Sequence, residues 1–164
     1  AQFNPEKLAW LNNHYIKAAD NERLAGLVRP KLEQQGARFD GSPAVPSVLA
    51  LVKDRVNTIN ELADAAMLFY RQPQPDAALL TQHLTDAVRP ALAAFAERCR
   101  TVEWNKAAIA AMLKEVLAAH GLKMPQIAMP LRLLVTGQLQ TPAIDAVLEL
   151  FGRELVLARV EKGL

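Results

Sequence analysis

Cysteine occurs once in the 164 residues, at Cys99, which excludes a disulfide within the chain and suits a reducing compartment. Nowhere do 18 apolar residues run together, so no membrane span is expected, and no charged-then-apolar leader points to secretion. A cytoplasmic location is the resulting expectation. Lys and Arg number 19 against 17 Asp and Glu, interspersed and without a polybasic tail, so any nucleic-acid binding has to come from a local patch. The three histidines, His14, His83 and His120, fall at no metal-ligand spacing with Cys99. No nucleophile elbow, P-loop or dinucleotide fingerprint occurs. Carboxylates sit on polar faces at helical spacing, and no residue is assigned a catalytic role.

Glycine is also scarce, at 7 residues, while Ala and Leu dominate and β-branched residues rarely cluster. This balance predicts an all-α protein. Asn4, Pro5 and Glu6 open a helix as N-cap, first residue and first-turn acid, with Leu8, Leu11 and Tyr15 on an apolar face beside Trp10. A second helix starts at Asp20, carries Leu24, Leu27, Val28 and Leu32, and stops at Gly36, with a kink or break expected at Pro30. After the loop 39–47, Thr58 and Glu61 have the spacing of a capping box and divide the next segment into two short helices, the first ending near Val56. Arg55 then lies near a helix C-terminus, a favourable place for a cation.

The prolines of "RQPQPDAA" mark a boundary near residues 72–74 between two helical blocks. Beyond them, Asn105 caps a helix whose face is Ile109, Met112, Leu113, Val116 and Leu117, and Gly121 stops it. "IAMPLRLLVTG" reads as a helix, for lack of a partner strand. Thr141 as N-cap and Pro142 at the first position are expected to open the next one, with Ile144, Val147, Leu148 and Phe151 inward.

Cys99 lies between Arg98 and Arg100, which would lower its pKa if they faced it; otherwise it is a small residue near a helix end. Trp10 and Trp104 could stack on bases or anchor helix packing. Arg132, in an otherwise apolar run, either snorkels or pairs with an acid, or else joins the free N–H groups of the following helix in a site for phosphates or base edges.

The blocks "FNPEKLAWLNNHYI", "LVKDRVNTINELADAAMLFY", "WNKAAIAAMLKEV" and "KMPQIAMPLRLLVTGQLQTPAIDAVLELFGRELVLARV" resemble, in order and spacing, the C-terminal half of bacterial discriminating glutamyl-tRNA synthetases. The last block is the most specific. The resemblance implies two consecutive helical bundle or cage domains: residues 1–18 would end a stem-contact region, 19–72 form the first anticodon-binding domain and 73–164 the second. It also explains an opening at Ala1 in mid-pattern, as a fragment lacking the catalytic half. The family's ATP-binding signatures are absent, and "KMPQ" at Lys123 lacks the Ser-Lys of one of them. No cofactor is implied for this part, with ATP and Mg belonging to the full-length enzyme.

By the same resemblance, Arg55 matches the arginine that reads the third anticodon base. It accepts cytosine in glutamate tRNA and rejects guanine in glutamine tRNA, as an arginine fork donates and cannot accept. Arg132, Thr141, Pro142 and Ile144 match the pocket for the first two anticodon bases, Ile144 standing where leucine is common in the family. The implied partners are the anticodon loop of glutamate tRNA and the N-terminal catalytic domain of the same chain, in a monomer. A helical protein-interaction module without RNA binding is the alternative that the near-neutral charge favours.

Overall fold

The computed structural model describes residues 4–164, apart from the side chain of Trp10. These residues form ten α-helices and two short 3-10 turns, with no strand. The chain divides into two compact units, Ala1–Arg71 and Gln72–Leu164.

In the first unit, α1 (Pro5–Ala18), α2 (Asn21–Gln34), α3 (Val45–Val52) and α4 (Ile59–Ala66) pack around Leu24, Val28, Leu32, Val48, Leu49 and Leu62, all fully buried. The Asn4 carboxamide accepts from Glu6 and Lys7 N–H, so the first helix starts where its cap predicts. Pro30 does not break α2, which runs through it to Gln34. The carbonyl deprived of its usual donor belongs to Gly26, four residues earlier on the exposed face, where water can satisfy it. Thr58 caps α4 by accepting from Glu61 N–H at 3.0 Å, while the Glu61 carboxylate reaches back to Asn57 N–H.

The expected inward face of α1 is open instead. Leu8, Leu11 and Tyr15 are 43%, 47% and 51% exposed, and Ile16 is the buried anchor. Periodicity places residues on one face but does not supply a surface to cover it. The expectations for Trp10 lie outside the described residues.

The second unit contains α5 (Ala77–His83), α6 (Arg89–Cys99), α7 (Lys106–His120), α8 (Met124–Thr136), α9 (Ile144–Phe151) and α10 (Arg153–Gly163). The apolar face read for α7 is buried in full, against α6, α8 and α9. Asn105 caps α7 through Ala108 N–H, and left-handed Gly121 ends it.

Helix α8 ends at Gly137, φ +78°, where a Cβ would meet the Gln74 backbone nitrogen at 3.0 Å and Pro73 Cα at 3.3 Å. Replacing Gly137 by Ala adds left-handed strain of about 1–2 kcal/mol to that backbone clash. The urea midpoint of Gly137→Ala should fall accordingly, while Gly26→Ala, in open space on a regular helix, should not be destabilised.

Candidate nucleic-acid interface

Arg55 ends a 3-10 turn, Lys53–Arg55, that continues from α3. The α-helix itself stops at Val52, earlier than the sequence pattern implies, because the last turn tightens before Val56 becomes extended. From α1, the Asn13 side-chain amide donates to Asp54 O at 3.2 Å and Val56 O at 2.7 Å. The backbone is thus clamped on both sides of Arg55, whose exposed side chain has neither an ion pair nor a hydrogen bond among the described residues. Sequence reasoning misses Asn13, since its partners lie more than forty residues away and no local pattern links them.

In the second unit, Arg132 projects from the C-terminal part of α8. Its Nε donates to Thr141 Oγ1 at 3.0 Å, across the turn. Thr136 builds that turn: its hydroxyl meets Arg132 O at 2.7 Å, and Gln138 N–H donates to it at 3.1 Å. Arg132 therefore pairs with neither of the partners its apolar context suggested, an acid or open water; it is half-buried and held by a hydroxyl. With Nε engaged, the two terminal nitrogens of the fork remain for a ligand, one of them 4.0 Å from Met129 Sδ.

The start of α9 differs from the expected one. Its N-cap is Ala143 and its first residue Ile144, leaving Thr141 and Pro142 in the connecting segment. Thr141 lies two residues before the N-cap, where its hydroxyl donates to Pro142 O at 2.8 Å and accepts from Arg132. In the first turn, Asp145 takes up Ala146 N–H at 2.8 Å. Thr141 thereby becomes an anchor for Arg132, with its own donor spent. Pro142 is half-exposed, whereas Ile144 is only 7% exposed and presents little more than an edge. Arg132, Thr141, Pro142 and Ile144 thus share one site, while Arg55 forms its own in the first unit.

Two other sequence candidates are absorbed by packing. Trp104 is half-buried with the Arg153 guanidinium 5.8 Å from its ring centroid. Cys99 is fully buried, and its flanking arginines turn outward to carboxylates, Arg98 to Glu115 and Arg100 to Glu161. Burial outweighs the opposing charge of Arg153 and pushes the thiol up to about 12 from 9.0. Among the described residues, no three His, Cys, Asp or Glu side chains gather as metal ligands. Nor is any helix there long and apolar enough to cross a membrane.

Each of the two helical units thus offers an arginine at a helix break with its backbone or side chain held by a hydrogen bond. The chain belongs to the anticodon-binding domain family, whose model matches residues 12–164. It is 73% identical over its full length to a glutamate–tRNA ligase of Janthinobacterium sp. (strain Marseille). It is 70% identical over 160 residues to that of Herminiimonas arsenicoxydans. The chain spans about a third of the length of these curated relatives, 35% and 34%. Its fold matches the crystal structure of a glutamate tRNA ligase from Elizabethkingia meningosepticum with a TM-score of 0.83 at 21% identity, covering 99% of this chain and 32% of that one.

Cys99 offers a direct check on packing. Its folded pKa lies above the unfolded value, so its contribution to stability is complete below about pH 9 and is lost as pH rises towards 12. Iodoacetamide at pH 8.5 should leave the native thiol unmodified and label it once urea unfolds the chain; fast native labelling would contradict the burial.

Proposed function

We propose that this chain is the anticodon-reading part of a glutamate–tRNA ligase that attaches glutamate to its tRNA in the cytoplasm at the expense of ATP. The observation that carries the reading is the Arg132–Thr141 hydrogen bond, which fixes an arginine fork beside a half-exposed proline at a helix break. The remaining donors of Arg132 suit the acceptor atoms of an unstacked base, and Pro142 with the edge of Ile144 supplies apolar contact. In the first unit, Arg55 donates to cytosine O2 and N3 of the third anticodon position. Guanine presents N–H donors there, which an arginine cannot accept. Small base pockets need few phosphate neutralisations, which is compatible with a chain of net charge +2.

The activation chemistry, with its ATP and Mg, belongs to the remainder of the full-length protein, and no residue of this chain is assigned to it. Its role is to bind and orient the anticodon loop, so alone it should bind glutamate tRNA weakly and catalyse nothing.

The test is made on the full-length protein. Arg55→Gln should relax rejection of glutamine tRNA, losing about 1–3 kcal/mol of discrimination, the scale of one bidentate base contact in DNA. Unchanged relative charging of the two tRNAs would make Arg55 structural. Arg132→Ala should weaken cognate tRNA binding with little change in Tm, and Thr141→Val should do the same more mildly by releasing the fork. A large fall in Tm for Arg132→Ala would return that residue to packing.

A further inference from the structure

The two units use most of their arginines differently, although Arg89 of the second is exposed with no hydrogen bond or ion pair among the described residues. In the second, Arg98 and Arg100 are ion-paired, Arg132 is bound to Thr141, Arg153 donates to Val102 O, and Arg159 donates to Val135 O at 2.6 Å. Among the described residues of the first unit there is no ion pair, and the side chains of Arg29, Arg38 and Arg71 make no hydrogen bond. All three are exposed, and each adjoins Phe39 or Tyr70 through a ring contact, a backbone hydrogen bond or the chain itself.

The shared neighbour is an aromatic pair. Arg29 Cζ stands 4.6 Å from the Phe39 ring centroid, and the Phe39 ring lies 5.1 Å from that of Tyr70, tilted by 52°. Arg38 N–H donates to Tyr70 O at 2.9 Å, and Arg71 is the next residue in the chain. Tyr70 is itself 1% exposed, with its hydroxyl donating to Pro43 O at 2.9 Å, so the platform is fixed by buried contacts. Arg29 is thus positioned by stacking on a ring, which leaves its donors unused. The nearby acids in sequence, Glu33 one turn beyond Arg29 and Asp40 after Phe39, pair with none of the three.

Three arginines from three segments adjoin this aromatic pair with no carboxylate paired to them, so the complement of their charge is an external polyanion. An arginine fork matches two phosphate oxygens at once. We propose that Arg29, Arg38 and Arg71 form a contact for the RNA phosphate backbone, separate from the base-reading arginines and indifferent to sequence. The proposal rests on the anticodon-binding reading for the identity of the polyanion. The aromatic pair beneath keeps Arg29 extended, so the patch supplies affinity and orientation while Arg55 and Arg132 supply discrimination.

The decisive measurement is the salt dependence of tRNA binding by the full-length protein. Arg29→Gln, Arg38→Gln and Arg71→Gln combined should reduce the slope of log K against log salt by roughly two to three, near one per lost phosphate contact. Affinity should drop by the same factor for glutamate tRNA and for an anticodon-substituted tRNA. The matching triple Arg→Lys variant should restore the slope. An unchanged slope, or equal losses in the Gln and Lys triples, overturns the proposal. If wild-type binding ignores the anticodon, the base-reading function fails instead, and the slope comparison still decides whether the patch holds phosphate.

Discussion

The left-handed turn at Gly137 is the constraint on which the second unit's site depends. The Pro73–Gln74 backbone lies so close that it would have to give by a few tenths of an ångström for a Cβ there, and the positive φ independently favours glycine. By ending α8 at that point, the turn sends the chain back so that Thr141 meets Arg132, nine residues earlier. Thr136 closes the same turn from inside, its hydroxyl bridging Arg132 O and Gln138 N–H. One backbone conformation therefore terminates a helix, packs against the start of the unit and aims a cation.

Both proposed base-reading arginines stand at helix breaks. Arg55 leaves the end of a 3-10 turn whose carbonyls are tied to Asn13, and Arg132 stands one turn before the end of α8. At these two positions hydrogen bonds hold the backbone or the guanidinium, and neither arginine forms an ion pair among the described residues. A near-neutral protein can read RNA in this way, because recognition requires a few well-held donors and the overall field contributes little.

Much of this was legible in the residues. The caps Asn4, Thr58 and Asn105 and the stop Gly121 act through partners within four residues, so local chemistry identifies them. The buried faces of α7 and α9 follow from spacing alone. Thr141 misled because two capabilities of one hydroxyl competed: a cap for the next helix or an anchor for a distant arginine. For Cys99 the plain reading, a small residue near a helix end, is the one observed; adjacency to two arginines does not say which way their guanidinium groups turn.

What the sequence determined by itself was the class of fold, the order of the main helices and the faces that α7 and α9 bury, because those depend on propensity, periodicity and short-range capping. Only the tertiary structure decided that Asn13 clamps the backbone around Arg55, that Thr141 serves Arg132, that Arg29 stands over Phe39 beside Tyr70 and that Arg38 N–H bonds Tyr70 O. These contacts join residues from about nine to more than forty positions apart, and such pairings are fixed by how helices dock. No local pattern of side chains encodes that geometry.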